Sequence, residues 1–425
     1  MKNKLVASHS SYLVYWATLA ALLAAGVLAA FAGLTALAAI LLFLLLIGFV
    51  SRLWAQASCR NVSLRVRTPV SGVFPGEKID ISLTLKNDKL LPVLWMDVFF
   101  PLPADLCLIP EQTRKPEDWE LHDLQERNAS EELVGERSFS LFLWYESQTF
   151  TSRWEAKHRG ICSTEGWRLR TGDGFGLTQV ETPLPREDRQ KLAVYPKLVP
   201  VLPDLFLRNV WNSDTGARGI LEDPTVIRST RAYQTGDPGR KINWRLLARG
   251  LPLTVNVYEE ILPCSVHFIL DGESYSGPEP HPEALEEALS LIASEVLCLA
   301  ENQVQAGISL SRGRDTDQTD LFPGADAEDM LWALAAYQPL PPAEDDEGHV
   351  LPQPSVFDEK AICAAAPRVG HFYYVAFNTG RLADSSLLPA LGPAAVTLLT
   401  AKECPRWGEF EAIPLSRLKG GESDG

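Results

Sequence analysis

The hydrophobic pattern of the chain begins with one long apolar segment near the N-terminus. Residues 11–51 carry no charged side chain and are rich in Leu, Ala, Ile, Val and Phe. As a single helix this segment would be roughly 60 Å long, about twice the thickness of the hydrocarbon core of a bilayer. The pattern therefore predicts a two-pass membrane hairpin over residues 1–52, with spans near 12–28 and 34–50 and a tight turn at Gly33 and Thr35.

Two other interpretations of this segment fit less well. A cleaved signal peptide has a shorter apolar core and a small-residue cleavage site before a polar start, and the sequence shows neither. The buried core hairpin of a soluble protein stays open as the second alternative. Lys2 and Lys4 precede the first span and Arg52 follows the second, so the positive-inside rule predicts that both ends of the hairpin, and the domains after it, lie in the cytoplasm at the inner (plasma) membrane.

The next segment, residues 61–200, alternates apolar and polar positions with the period of half-buried strands. Turn signals such as Pro75-Gly76 and Asn87-Asp88 separate the alternating runs. This alternating pattern predicts an antiparallel β-sandwich. We interpret the charged middle of the segment, about 111–137, as a long loop. The clearest alternating positions are Val62, Leu64, Val66, Ile79, Ile81, Leu83 and Leu85.

From residue 253 the pattern changes to strands that alternate with amphipathic helices. Apolar runs at 266–270, 307–310, 371–377 and 395–400 are typical of strands buried on both faces. Residues 282–302 and 327–337 have helical periodicity, and residues 339–354 read as a solvated loop. Residues 201–418 are therefore predicted to form a doubly wound α/β domain with a mostly parallel sheet, followed by a disordered tail over 419–425.

The net charge and the cysteine pattern argue against several classes of partner and site. The net charge of −15 without a basic tract excludes nucleic acid as a partner, because no surface can neutralise phosphates. The same charge is unsuited to binding anionic lipid, so the hairpin must supply membrane attachment. The seven cysteines are scattered and never spaced as CxxC, which indicates reduced thiols rather than disulfides or a zinc site.

A segment rich in arginine and aromatic residues, 231–249, lies between the two predicted domains. Asp237 is predicted to cap a helix that starts at Pro238, and Gly250 to end it in a left-handed conformation. On such a helix Arg240 and Trp244 would share one face, with a guanidinium beside an indole.

This motif has two open interpretations, one structural and one functional. In the structural one, its arginines form internal salt bridges with Asp237, Glu259 or Glu260. In the functional one, the arginine and tryptophan side chains form an exposed docking surface for a partner protein. The motif residues to which either role is assigned are Arg231, Tyr233, Gly236, Asp237, Arg240, Trp244 and Arg249.

The spacing of this motif, followed by a strand and Asp271, resembles that of the bacterial family called domain of unknown function 58. Residues 73–77, 158–160 followed by 171–177, and 194–196 also resemble stretches of that family, with Gly174 where proline is usual. The N-terminal membrane hairpin is usual in the family as well. The resemblance implies a C-terminal domain similar to von Willebrand factor A domains.

The resemblance also implies partners and a role. Members of the family often accompany MoxR-type AAA+ ATPases and other membrane proteins, which suggests a protein-interaction scaffold in assembly, maturation or envelope maintenance. A von Willebrand factor A domain binds Mg²⁺ through D-x-S-x-S after its first strand, because that ion prefers oxygen ligands. Here Asp271 keeps the first position, but Glu273 and Tyr275 replace the serines.

Asp271 and Glu273 are therefore predicted as a degenerate Mg²⁺ site, within a Mg²⁺-dependent ligand-binding module as an alternative function. The other interpretation of these acids is a strand-end loop that faces water. The sequence contains no G-x-S-x-G, Walker, H-E-x-x-H or kinase motif, so we predict no enzyme. A hydrolase built on Cys162 or Cys264 with a distant histidine stays an alternative, since such pairs meet only in space.

Overall fold

A computed structural model describes the protein in two compact units, Met1–Tyr195 and Pro196–Gly425. The described residues are 7–10, 12–58, 60–102, 108–110, 120–123, 133–202, 206, 221–261, 265–276, 279–314, 319–340, 343–344, 350–351, 355–380, 382, 385–404 and 406–419.

The first unit begins with the predicted pair of apolar helices. Helix α1 (Trp16–Phe31) and helix α2 (Thr35–Ser58) pack against each other. Gly33 adopts a φ of +78° at the turn between them, a left-handed conformation that favours glycine. Helix α2 is long and apolar enough to cross a membrane, whereas α1 is a shorter apolar helix. The helix pair is confirmed, and α2 continues beyond the predicted span end at Val50.

A mostly antiparallel, sandwich-like set of sheets completes the first unit, as predicted. One sheet has the strand order β1-β12-β11-β5-β8-β7, a second has β2-β4-β9-β6, and a third has β10-β13-β3. The strands are β1 (Ala7–Ser10), β2 (Val62–Arg67), β3 (Gly72–Val73), β4 (Lys78–Asn87), β5 (Val93–Leu102), β6 (Leu108–Pro110), β7 (Glu120–Asp123), β8 (Leu133–Phe142), β9 (Ser147–Ala156), β10 (Gly160–Ser163), β11 (Arg168–Gly172), β12 (Thr178–Pro183) and β13 (Lys191–Val194).

The sandwich core follows from the alternating pattern. In β2 and β4 the apolar positions are buried and the polar ones are exposed or half-buried, except for Asn87 at the end of β4, which is buried. Aromatic rings fill the centre, where Phe100 lies with its ring centroid 4.9 Å from Trp167 and 5.1 Å from Trp154. Gly135 lies against the Phe100 ring, and a Cβ there would come within 2.0 Å of Cζ, so no larger residue fits without repacking.

The loop interpretation of residues 111–137 is wrong where the structure describes that segment. It contains β7 and the first residues of β8, which pair with each other in antiparallel register. The loop was inferred from the charged residues, but a charged side chain need not be solvated. Arg137 is buried, with its guanidinium 5.1 Å from the ring centroid of Phe139 and 5.4 Å from that of Phe150. Residues 111–119 and 124–132 lie outside the described part of the chain.

The second unit is built on a seven-stranded mixed sheet of order β18-β17-β16-β21-β22-β24-β23. Its central strands β17, β16, β21, β22 and β24 are parallel, and its edge strands are antiparallel. The strands of this unit are β14 (Leu221–Ala232), β15 (Thr254–Ile261), β16 (Ser265–Leu270), β17 (Gln305–Leu310), β18 (Thr319–Leu321), β19 (Ala343–Glu344), β20 (Val350–Leu351), β21 (His371–Ala376), β22 (Val396–Thr400), β23 (Arg406–Trp407) and β24 (Phe410–Pro414). The helices are α3 (Trp244–Leu247), α4 (Pro282–Glu301), α5 (Ala327–Ala336), α6 (Glu359–Ala365) and α7 (Leu387–Leu391).

Continuous apolar runs form the centre of this sheet, as predicted. Every residue of β16 and of β21 is buried, which is the expected environment of a strand covered on both faces. The predicted loop at 339–354 contains the short antiparallel pair β19 and β20. Of the predicted tail, Lys419 bridges to Val201 and pairs with Glu287, its Nζ 3.2 Å from Oε1, and residues 420–425 lie outside the described chain.

Candidate functional site

The arginine-rich motif lies at one end of an exposed two-stranded ribbon. Strands β14 and β15 pair with each other in antiparallel register, from Leu221 opposite Ile261 to Ala232 opposite Thr254, and form a sheet of their own. The chain between them, residues 233–253, contains most of the motif. Most of its described side chains are exposed, so this loop is held by its own hydrogen bonds rather than by a core.

Arg231 and Asp237 close the base of this loop. The guanidinium donates from Nη1 to Oδ2 at 2.8 Å and from Nη2 to Oδ1 at 2.6 Å, a bidentate geometry. The backbone N–H of Gln234 donates to the same carboxylate at 2.8 Å. These bonds, that of Arg231 first, lower the pKa of Asp237, and the ion pair raises the pKa of Arg231. Gly236 turns the chain here with a φ of +110°.

The predicted helix from Pro238 is wrong, and Asp237 does not cap it. Pro238 is extended and a 3-10 turn follows at Gly239–Lys241, because the Asp237 carboxylate already bonds backwards to Gln234. Helix α3 starts at Trp244 and is capped by Asn243, whose Oδ1 accepts from the N–H of Leu246 at 3.1 Å.

Arg240 and Trp244 consequently lie on separate elements and do not share a helical face. Arg240 belongs to the 3-10 turn, and Trp244 is the first residue of α3. Asn243 also ties this region to the ribbon, because its Nδ2 donates to Oδ1 of Asn256 on β15 at 2.7 Å. Gly250 does follow α3 with a φ of +77°, as predicted.

Four apolar side chains of this loop are exposed together, and we name them the motif surface: Tyr233, Trp244, Leu247 and Leu251. Trp244 is 62% exposed, a large fraction for the residue type that most often anchors protein interfaces. Among the described side chains, the pair of Arg231 and Asp237 is the one member of the predicted salt-bridge network that forms. Arg240 and Arg249 are exposed, and the side chains of Glu259 and Glu260 lie outside the described residues.

The second candidate site surrounds Asp271, at the carboxyl ends of β16 and β21. Asp271 is only 4% exposed and both of its carboxylate oxygens accept hydrogen bonds. Oδ1 accepts from the N–H of Ser274 at 3.1 Å and from the hydroxyl of Ser355. Oδ2 accepts from the hydroxyl of Tyr374 at 3.1 Å. Asp271 thereby joins three separate segments of the unit.

Glu273 is buried in the same pocket among hydroxyl groups. Burial raises its pKa to about 7, against the opposing effect of hydrogen bonds with Ser311 and Ser355. The Ser311 hydroxyl lies 2.6 Å from that of Tyr337 and accepts from the N–H of Gly272 at 3.3 Å. Since both acids are buried, the interpretation as a strand-end loop facing water is wrong.

This pocket does not fit a Mg²⁺ ion in the arrangement that the described residues adopt. The ion needs free, ionised oxygen ligands, whereas the oxygens of Asp271 accept protein hydrogen bonds and burial favours the neutral form of Glu273. Tyr275 fills the second serine position with a buried ring. No group of three or more His, Cys, Asp or Glu suited to a metal occurs among the described residues.

A polar row that sequence reasoning missed crosses three neighbouring strands. His267 Nε2 lies 2.8 Å from the Ser309 hydroxyl, which donates to Oδ1 of Asp320 at 2.5 Å. Burial lowers the pKa of His267 to about 3, so its ring is neutral. Ser309 lies between the other two, whereas in a hydrolytic triad the histidine takes that place. The signal in the sequence was His267 within the apolar run 266–270 and Ser309 within the run 307–310, whereas Asp320 lies in a short strand that the pattern did not predict.

The hydrolase alternative requires Cys162 or Cys264 beside a histidine that is distant in sequence. Cys162 is half-buried in the first unit and forms no disulfide, and Cys264 lies outside the described residues. The described bonds of Asp237 go to Arg231 and to the backbone of Gln234, with no histidine or cysteine among them.

Comparison with known proteins gives only partial likenesses. No protein-family profile and no curated protein matches the chain. Among solved structures, it is similar to a cohesin module from Clostridium perfringens ATCC13124 family 33 glycoside hydrolase, with 9% identity, 31% of this chain and 97% of that chain covered, and a TM-score of 0.22. The human F-spondin reeler domain gives 10% identity, 32% and 89% coverage, and a TM-score of 0.19. A type II cohesin domain from the cellulosome of Acetivibrio cellulolyticus gives 10% identity, 31% and 95% coverage, and a TM-score of 0.18. Scores this low identify neither fold nor function.

Proposed function

We propose that this protein is a membrane-anchored, cytoplasm-facing scaffold of the domain of unknown function 58 family, which binds other proteins through the motif surface. Its proposed partners are a MoxR-type AAA+ ATPase and other membrane proteins, in assembly, maturation or envelope maintenance. The observation that carries the proposal is Trp244, an exposed indole on a loop stiffened by the bidentate pair of Arg231 and Asp237.

We further propose that the second unit is a von Willebrand factor A-like domain. The order of its sheet supports this assignment. The first strand of the sheet, β16, is central, with β17 and the antiparallel β18 on one side and β21, β22 and β24 on the other, as in doubly wound folds. Asp271, directly after β16, occupies the expected position of the first acid of the resembled motif.

The energetics of the motif favour a binding role over a purely stabilising one. The ion pair of Arg231 and Asp237 lies at the surface, with the two side chains 45% and 13% exposed, and surface pairs contribute little to folding stability. Tyr, Trp and Arg side chains, in contrast, carry much of the binding energy of protein interfaces. A set of exposed side chains of these types on a fixed loop is therefore better explained by a partner than by the fold.

The test is direct binding of a purified MoxR-type ATPase from the same organism to the full chain in nanodiscs. We expect Trp244→Ala to weaken binding by about tenfold or more. The matched control is Val356→Ala, an exposed apolar residue of the same unit, which should bind normally. Undiminished binding by Trp244→Ala, or loss of its folding in a thermal melt, would contradict the proposal. Loss of binding in EDTA would instead favour the Mg²⁺-dependent module.

A further inference from the structure

The two ends of the β-sandwich in the first unit can be told apart from the strand register. Ser10 pairs with Thr178, Val62 with Asn87, and Val93 with Phe142. These pairs place the turns at 88–92, 143–146 and 173–177 at the end of the sandwich where the chain enters α1 and leaves α2. We name this the anchor end.

Exposed apolar side chains of the sandwich are concentrated at the anchor end. Within the described part of residues 60–195, every large exposed apolar residue but one lies there, on the turns or at the strand ends beside them. The exception, Val70, follows Arg67 at the opposite end of β2. The anchor-end residues are Leu90, Leu94, Leu141, Leu143, Trp144, Tyr145 and Phe175.

Asp173 fixes one of these turns to helix α2. Its fully buried carboxylate accepts from the hydroxyl of Ser51, and its Oδ1 accepts from the N–H of Thr178 at 3.1 Å. Its carbonyl accepts from Nε1 of Trp95 at 2.9 Å. Phe175 is therefore held at the tip of a fixed turn, 66% exposed, beside the residue with which the charge-free segment ends.

Lys89 fixes a second turn in the same way. Its Nζ donates to the carbonyl of Arg60 at 2.9 Å and to that of Ser58, the last residue of α2. The N–H of Tyr145 donates to the carbonyl of Lys89 at 3.2 Å, which ties the turn that carries Trp144 to this point. The apolar turns thus surround the exit of α2.

Aromatic residues of the hairpin lie at the level of Arg52, which directly follows the charge-free segment. Arg52 donates from Nη1 to the carbonyl of Val14 at 2.9 Å, and its guanidinium lies 4.7 Å from the ring centroid of Trp16. Tyr12 and Trp16 are exposed beside it. Tryptophan and tyrosine are enriched where spanning helices meet the lipid headgroups, because their rings are amphipathic.

We propose that the anchor end of the sandwich is seated in the headgroup region of the bilayer, with Phe175 and Trp144 entering it. The inference rests on the membrane anchoring in the proposed function. Lipid is the occupant because this surface is continuous with the apolar helices, is rich in aromatic residues, and includes a turn bonded to Ser51, the last residue of the charge-free segment. An exposed apolar area of this kind marks an interaction surface, and here the nearest apolar phase is the membrane.

The test uses the full chain in nanodiscs of phosphatidylcholine and phosphatidylglycerol, with native cysteines replaced by serine and one nitroxide label per variant. We measure the collision rates of each label with oxygen, which concentrates in lipid, and with a water-soluble nickel chelate. The variants are Phe175→Cys, Trp144→Cys, the control Val70→Cys at the opposite end, and Leu42→Cys on the exposed face of α2. We expect the oxygen-to-nickel ratio at Phe175 and Trp144 to exceed that at Val70 several-fold.

Each outcome supports or overturns the inference. A lipid signal at Leu42 with a water signal at Phe175 and Trp144 overturns the seating and leaves the anchor intact. A water signal at Leu42 overturns the anchor itself. Labels at Phe175 shielded from both reagents indicate a protein occupant and also overturn the seating. If the cysteine-free chain does not fold, a photo-crosslinking residue at Phe175 in the native chain should form lipid adducts, and adducts to protein alone would refute the idea.

Discussion

Asp237 and Asp271 lie on short loops of the same unit, and their surroundings are opposite. Asp237 lies at the surface beside the ribbon, where its carboxylate, 13% exposed, accepts from the guanidinium of Arg231 and from the N–H of Gln234. Asp271 is buried, where hydroxyl and backbone donors surround both of its oxygens. Both acids belong to stretches that resemble the same family, so sequence alone gives them similar weight. Burial separates them in degree, because a buried hydrogen-bonded acid such as Asp271 holds the fold, while an acid in a surface ion pair such as Asp237 contributes little to stability.

The largest effect that we expect from this comparison is at the buried acid. Asp271→Ala removes the acceptor of Ser274, Ser355 and Tyr374 and leaves buried donors without a partner. It should lower the free energy of unfolding by about 3 kcal/mol, measured by urea denaturation. Glu279→Ala, an exposed acid of the same region, is the control and should change little. Equal stability of the two variants would break the comparison.

A second buried acid, Glu295 on α4, should make the free energy of unfolding depend on pH. It is fully buried, its carboxylate has no hydrogen-bond partner among the described residues, and burial raises its pKa to about 8. In the unfolded chain the pKa of Glu295 is near 4.5. The contribution of its neutral form to the free energy of unfolding is therefore fully present below pH 4.5 and is lost as the pH rises through 8.

Glu295→Gln should therefore flatten the fall in stability between pH 5 and pH 9 (roughly 2 to 4 kcal/mol at the alkaline end). The measurement is urea denaturation of both proteins across that range. Glu301→Gln, an exposed acid on the same helix, should keep the slope of the parent chain. A parent protein whose stability does not change over this range would show that Glu295 gains water or a partner.

The smallest effect on stability should come from the surface acid Asp237. Asp237→Asn removes the charge that binds Arg231, and we expect only a small shift of the melting temperature, because the Arg231 side chain is 45% exposed and surface ion pairs contribute little to stability. Binding of the ATPase should weaken, since the loop that presents Trp244 loses its clamp. Arg231→Lys provides a milder counterpart that keeps the charge but not the bidentate geometry. A large drop in melting temperature for Asp237→Asn would mean that the ribbon is structural.

Much of the fold could be predicted from the sequence because burial has a simple period. Strands β2 and β4 have one buried face, so their apolar and polar residues alternate. Strands β16 and β21 are buried on both faces, so their apolar runs are continuous. The charged segment that contains β7 could not be predicted, since Arg137 is buried by the rings that it contacts rather than solvated.

The candidate sites were harder to predict because their partners are distant in sequence. Tyr374 and Ser355 are 103 and 84 residues away from Asp271 in sequence, and no local sequence pattern predicts their hydrogen bonds with it. For Asp237 two local interactions were possible. Its carboxylate could cap a helix, but in the structure it binds the guanidinium of Arg231, six residues earlier. Only the assembled ribbon shows which rule applies.

The pairing of β1 with β12 sets an order of events during biosynthesis. Strand β1 leaves the ribosome before the apolar hairpin, whereas Thr178–Pro183, the strand that completes its ladder, is translated far later. Strand β1 therefore cannot pair with β12 until translation has reached Pro183. In the membrane-anchored arrangement that we propose, this ladder can close only when the N-terminus lies on the same side of the bilayer as β12.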